Sequence, residues 1–396
     1  MRAGIVRYAH PIFEDAILFA YMAYACVGEN KWKISCLERL NRAIELSGSP
    51  TSHIALFTGM CGLGWTVEHV SRLLSAVSEQ TPLDALDQVE DAIQEEDPCY
   101  DLDQALIRSL QSDRPRLATY DLIQGYVGIG VYFLERWPRG RSAEGLGHIV
   151  DVLEKLAEKV GPGVAWYSPP KESRPEGCYD LGVAHGIPGV LHFLCQAASR
   201  GIETQRVNSL LQQAMMWFIA QSSRNEGRAR FGAWVTAEGL VRHSRPSWCY
   251  GDLGVGAILS QIAELRADAN LSLIANDILD NCMTFSPETY EIDDACLCHG
   301  AAGAAHIYNR LYQTTYNSRY RDASMFWFER ALDMFRPGTG VGGFSKYARR
   351  YGSSTSTWEA SPDLLDGSIG VALALLGAVS SLEPEWDRLL LLSSRA

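Results

Sequence analysis

Two kinds of apolar segment alternate along the chain. One kind is apolar on every side: Tyr126–Leu134, Val190–Cys195, Val255–Ile262 and Ile369–Val379. The other carries one apolar stripe at the 3.6-residue period of an α-helix. Its examples are Ile149, Leu153, Leu156 and Val160; then Val207, Leu210, Leu211, Ala214, Met215 and Phe218; then Leu271, Ile274, Ile278 and Cys282. A helix apolar all round must be buried, whereas a striped helix lies against it with its polar face in water. The alternation therefore predicts stacked α/α-hairpins. No segment sustains the two-residue alternation of a strand, although Phe231–Ala237 has room for a short hairpin.

The all-apolar runs share a preface, Gly-x-x-Gly. It occurs at Gly59/Gly62, Gly125/Gly128, Gly186/Gly189, Gly251/Gly254, Gly300/Gly303 and Gly367/Gly370, the first glycines lying 66, 61, 65, 49 and 67 residues apart. A further pair, Gly340/Gly343, leads into Phe344-Ser345-Lys346 and falls outside the series. A period of this length marks a repeat architecture. The prediction is an all-α fold, one domain over residues 1–396. It takes the form of an α/α toroid, a double ring of six helical hairpins and a more degenerate seventh, with inner helices lining the middle.

Glycine lets a chain turn sharply and approach another backbone closely, so the residues before each first glycine sit at the mouth of an inner helix. In a closed ring these mouths converge. The residue just before the glycine is Thr58, Gln124, His185, Tyr250, His299 or Asp366, and one position earlier stand Phe57, Ile123, Ala184, Cys249, Cys298 and Leu365. Two adjacent units thus place a cysteine at one structural position, and one of them adds a histidine. Cys249, Cys298 and His299 form a zinc set with one position open, the arrangement of a catalytic site. Cys296 is the nearby residue that would close it into a structural site. Without a metal, the same residues read as buried thiols and a core histidine, which is also the reading for Cys26, Cys36, Cys61 and Cys195.

Such a site suits binding a substrate thiol and keeping it as thiolate near neutral pH, for attack on a carbon electrophile. If the attack is addition to a conjugated alkene, a proton must next reach carbon, and His185 is the candidate donor. Asp121, at the neighbouring mouth, would fix the tautomer of His185. Arg245 would stabilise an enolate oxygen or bind an acidic group, and Tyr250 would hydrogen-bond in the site. Each has a plainer reading: a turn residue, an N-cap, a surface ion pair and a packing residue.

Composition narrows the class further. Of 396 residues 47% are hydrophobic and 21% charged, which is globular and excludes a disordered chain. The net charge of −12 and the lack of a long Lys/Arg run exclude nucleic acid as a main partner. Ala16 to Val27 is apolar but too short to span a bilayer, and Glu14 and Asp15 stand where a signal peptide would be positive. No integral membrane segment and a cytoplasmic location are expected. Ten cysteines are too few for a disulfide scaffold of this length.

At these residues the chain resembles the lanthionine synthetase cyclase family, zinc enzymes that close thioether rings in lantibiotic precursors. The resemblance is carried by Tyr120-Asp121-Leu122-Ile123-Gln124-Gly125, Ala184-His185-Gly186-Ile187-Pro188-Gly189, Arg245-Pro246-Ser247-Trp248-Cys249-Tyr250-Gly251 and Cys298-His299-Gly300-Ala301-Ala302-Gly303. It implies an α/α toroid with Cys249, Cys298 and His299 as ligands of Zn2+. It also implies His185, Asp121, Arg245 and Tyr250 in the active site. The implied reaction is Michael-type addition of a peptide cysteine to dehydroalanine or dehydrobutyrine. The implied partners are a dehydrated precursor peptide, a separate dehydratase and a transporter, in a complex at the membrane periphery. Asp252-Leu253 departs from the family, which often has a residue followed by Pro after this glycine; the change bears on loop stiffness and substrate fit. The alternatives are a relative that adds glutathione to dehydrated residues and a non-catalytic zinc-stabilised scaffold binding peptides or glutathione. A prenyltransferase subunit would need a basic diphosphate pocket. A glycosidase would need paired carboxylates, which Asp121, Asp363 and Asp366 imitate.

Overall fold

The computed structural model describes residues 10–26, 29–47, 53–78, 97–112, 117, 119–171, 176–223, 229–286, 290–349 and 356–393. Their helices are α1 (His10–Ala25), α2 (Asn30–Leu46), α3 (Met60–Ser78), α4 (Tyr100–Leu110), α5 (Tyr126–Arg136), α6 (Ser142–Leu156), α7 (Ile187–Ser199), α8 (Thr204–Ile219), α9 (Asp252–Arg266), α10 (Ala269–Cys282), α11 (Ala301–Thr315), α12 (Ser318–Asp333) and α13 (Ser368–Val379), before a 3-10 helix at Glu385–Leu390. These helices divide between two compact units, Met1–Ala118 with Ile123–Val152, and Thr119–Leu122 with Leu153–Ala396.

In the first unit α1 and α2 form a hairpin, and α3 packs on α1 and α5. Its core holds charge. Arg136, fully buried at the end of α5, donates to Glu68 at 2.7 Å and to Asp103 at 2.8 Å, and also to Asp97. A buried guanidinium is tolerated only when paired in this way. His69 Nδ1 meets Glu135 Oε1 at 2.8 Å, and the Tyr21 hydroxyl meets Nε2 at 3.0 Å.

In the second unit α7, α9, α11 and α13 pack side by side in chain order, with α8 against α7, α10 against α9 and α12 against α11. The first row is the all-apolar kind: every residue of α7 from Ile187 to Ala197 is buried, and Pro188 is accommodated in the first turn, where its missing N–H costs nothing. The second row is the striped kind, and here the pattern needs three corrections. On α8 Trp217 is buried and Met215 only half-buried. On α10 Ala275 takes the buried place while Ile274 is exposed. Leu156 is exposed because α6 ends there, and Val160 lies in a strand instead.

Short antiparallel pieces decorate this unit. β1 (Glu158–Val160) pairs with β2 (Gly163–Ala165). β3 (Tyr179–Asp180), β4 (Trp234–Val235) and β5 (Val241–Arg242) form a three-stranded sheet in that order, with β4 inside the expected hairpin segment. The odd glycine pair Gly340/Gly343 leads into β6 (Lys346–Arg349), which pairs with β7 (Ser356–Glu359). The C-terminal segment ties the inner row: Trp248 Nε1 donates to the Leu390 carbonyl and Gln261 Nε2 to that of Leu391, both at 2.9 Å. All ten cysteines are free; Cys36, Cys61 and Cys195 are buried as expected, but Cys26, just past α1, is half-exposed. Among the described residues no helix is long and apolar enough to cross a membrane.

Candidate metal centre

The glycine pairs build the site. A Cβ on the second glycine would run into the carbonyl six residues earlier, that of Leu56, Val183, Trp248, Leu297 or Leu364 for Gly62, Gly189, Gly254, Gly303 and Gly370. The first glycine is crowded in the same way, at Gly186 by the carbonyl of Asp180 and at Gly300 by that of Asp294. Each loop is therefore wrapped tightly around its helix start, and only glycine fits. Gly251 differs: its φ is +94°, outside the range of the other capping glycines, so here positive φ is needed as well as space.

Backbone hydrogen bonds then lock the mouths together at one register. The Ala184 N–H donates to the Cys249 carbonyl at 3.3 Å, that of Cys249 to Cys298 at 3.4 Å, and that of Cys298 to Leu365 at 2.8 Å. These are the four residues two positions before the first glycine, so equivalence in sequence becomes adjacency in space. Potential ligand atoms of Cys249, Cys298 and His299 consequently lie within 4.8 Å of one another, half-exposed, close enough to share one ion. The Cys298 thiol donates to Cys249 and, with His299, pulls the Cys249 thiol well below its usual range. Hydrogen bonding to Cys249, burial and the Cys249 charge push Cys298 up. Burial alone would lower His299, but the adjoining Cys249 thiolate raises it. Two soft donors and an imidazole, one thiol already disposed to ionise, fit a thiophilic divalent metal such as zinc.

Cys296 does not join this set. It groups with Asp294 and His299. That second group is committed elsewhere: Asp294 Oδ1 accepts from the Cys296 N–H at 3.0 Å and Oδ2 from the Tyr347 N–H at 2.8 Å, while burial drives the Cys296 thiol strongly upward. A neutral buried thiol beside an occupied carboxylate braces the His299 loop.

His185 Nδ1 lies 2.8 Å from Asp121 Oδ2, with the His185 side chain 34% exposed and that of Asp121 only 3%. The carboxylate accepts the Nδ1 proton, which leaves Nε2 as the ring nitrogen that Asp121 does not engage. The Tyr250 ring stacks on that of His185 with centroids 6.3 Å apart. Arg245 donates to the Glu291 carbonyl at 2.8 Å, sits 4.0 Å from Asp293, and its charge reaches His299. Of the remaining carboxylates, Asp366 holds Lys346 at 2.6 Å, and Asp363 accepts from Ser361 at 2.7 Å. Asp294 and Lys346 were missed from the sequence, and Asp252, singled out there for loop stiffness, has a further role: its carboxylate accepts the Arg230 and Phe231 N–H groups at 2.7 and 2.8 Å.

Fold and site together define a class, helical hairpins led by Gly-x-x-Gly whose mouths gather two thiols and an imidazole. The chain belongs to the lanthionine synthetase C-like protein family, whose model matches residues 16–391. It is 26% identical over 251 residues to the nisin biosynthesis protein NisC of Lactococcus lactis subsp. lactis, a match covering 56% of this chain and 57% of that protein. The matched part of the chain thus spans little more than half of that relative's length. The solved structure of nisin cyclase has the same fold, with a TM-score of 0.70 at 18% identity over 95% of this chain and 89% of that one. The fold class is the all-α toroid class that the glycine repeat predicted.

Proposed function

We propose that this chain is a zinc-dependent lanthionine and methyllanthionine cyclase, acting as one domain on a dehydrated precursor peptide supplied by a separate dehydratase. The observation that carries the reading is the thiol–imidazole cluster of Cys249, Cys298 and His299, with the His185–Asp121 pair on a neighbouring mouth. Cys249, Cys298 and His299 would hold the Zn2+, whose charge would keep a substrate thiol ionised near neutral pH.

The remaining work falls to the protein's own side chains. The peptide sulfur attacks the β-carbon of dehydroalanine or dehydrobutyrine, forming the C–S bond as the alkene electrons move toward the α-carbon and its carbonyl. Arg245 meets the negative charge that develops on that oxygen. Protonated His185 delivers the proton from Nε2 to the α-carbon, while Asp121 holds Nδ1 and stabilises the imidazolium. Tyr250 keeps the imidazole in plane. The proton lost by the thiol balances the one gained at carbon, so the product is an isomer of the substrate.

Metal analysis by plasma mass spectrometry, on wild type and Cys249→Ala, tests this with a ring-closure assay on a dehydrated peptide. About one zinc per chain in wild type and none in the variant is expected. A wild type that is metal-free when freshly purified overturns the chemistry and leaves a peptide-binding scaffold. A zinc-loaded protein that adds glutathione but closes no ring makes it the glutathione-adding relative.

A further inference from the structure

The ladder of Ala184, Cys249, Cys298 and Leu365 sets the order of the residues that follow them: His185, Tyr250, His299, Asp366. His185 and Asp366 therefore flank the thiol–imidazole cluster on opposite sides. Each carries a partner of opposite charge type, Asp121 on His185 and Lys346 on Asp366. Asp366 Oδ2 lies 2.6 Å from Lys346 Nζ, and both side chains remain part-exposed at 32% and 28%. Lys346 comes from outside the repeat, at the start of β6. The next residue along, Tyr347, gives its N–H to Asp294 in the His299 loop. Two successive residues of β6 are thus pinned to two mouth loops, which fixes the ammonium at the opening and not merely on the surface.

We propose that Lys346, positioned by Asp366, is a peptide-binding cation on the side of the cluster away from His185, donating to a main-chain carbonyl next to the substrate cysteine. This rests on the cyclase reading. A peptide whose sulfur sits in the cluster and whose alkene sits at His185 leaves the cluster on the opposite side, past Asp366. Asp363 and Asp366 are acceptors on that side, so peptide carbonyl oxygens need a donor there. An ammonium has three N–H donors, and Asp366 takes one of them.

The test uses the full-length, zinc-loaded protein and a synthetic peptide with one dehydroalanine and one cysteine. Affinity is read by anisotropy of the N-terminally labelled peptide, turnover by mass spectrometry. Lys346→Met should raise the dissociation constant and KM about tenfold, the loss expected of one charge-assisted hydrogen bond, with kcat, zinc content and melting temperature unchanged. Lys346→Arg should recover most of the affinity, and Asp366→Asn should weaken binding in the same direction. Unchanged affinity in Lys346→Met, or no binding by wild type, overturns the proposal. Affinity that depends on Lys346 in a protein that closes no ring would uphold it and remove the cyclase reading instead.

Discussion

Cys249 and Cys298 are ordinary thiols in sequence and become a chemical unit only because Cys249 N–H meets the Cys298 carbonyl across two repeats. The hydrogen bonds that Cys298 and His299 give Cys249 make the cluster testable one residue at a time. Cys298→Ala removes the donor that draws Cys249 down, leaving one thiol and one imidazole, too few to retain zinc. The expected outcome is loss of metal and of ring closure with an unchanged far-UV circular dichroism spectrum; wild-type zinc content would discard the ligand assignment. His185→Asn should keep the metal but slow ring formation by roughly 10²–10⁴, the usual contribution of a positioned acid, measured in a single turnover. Arg245→Ala should lower the rate more than the metal content. If zinc falls with it, Arg245 acts by bracing the loop of Glu291 and not by meeting charge on the substrate.

At the scale of elements, the starts of helices were legible and their ends were not. Glycine pairs are forced by backbone crowding, so they mark each inner helix wherever it falls. A striped helix is marked only by its period, and the period cannot say where the helix stops. That is why Leu156 and Val160 read as one face when the chain turns into β1 between them. Side chains that bind distant backbone amides leave no periodic trace at all. Asp252 is the clearest case. Following Gly251 it reads only as a change in loop stiffness, yet its carboxylate clamps the Arg230 and Phe231 amides at the foot of α9. Asp252→Ala would leave two amides short of an acceptor and should cost about 2 kcal/mol or more. Urea unfolding would show it; a loss under 0.5 kcal/mol, the range of ordinary surface changes, would mean that water replaces the clamp.

For the molecule as a whole, the repeat fixed which residues meet at the mouths, but the groups that set its response to pH are buried between helices and could not be read from motifs. Two of them act in opposite senses. His192 on α7 is buried beside Gln261 of α9, and burial holds its pKa down at about 4. The unfolded chain therefore binds a proton near pH 6.5 that the folded chain refuses, and stability is lost as pH falls from 6.5 toward 4, by about 3 kcal/mol in all. Burial pushes Asp252 up to about 6, so the folded chain holds its proton more tightly than the unfolded one. That contribution is present below the ordinary carboxylate range and is lost as pH rises through 6, with a similar magnitude and the opposite slope. Between pH 4 and 6 the two nearly cancel. His192→Gln should unmask the Asp252 slope, so that the variant gains stability relative to wild type on acidification over that interval. Asp252→Asn should leave the His192 slope alone and lose relative stability over the same range. Urea midpoints of the three proteins at pH 6 and pH 4.5 decide the matter, and parallel lines would show that neither group changes its proton affinity on folding.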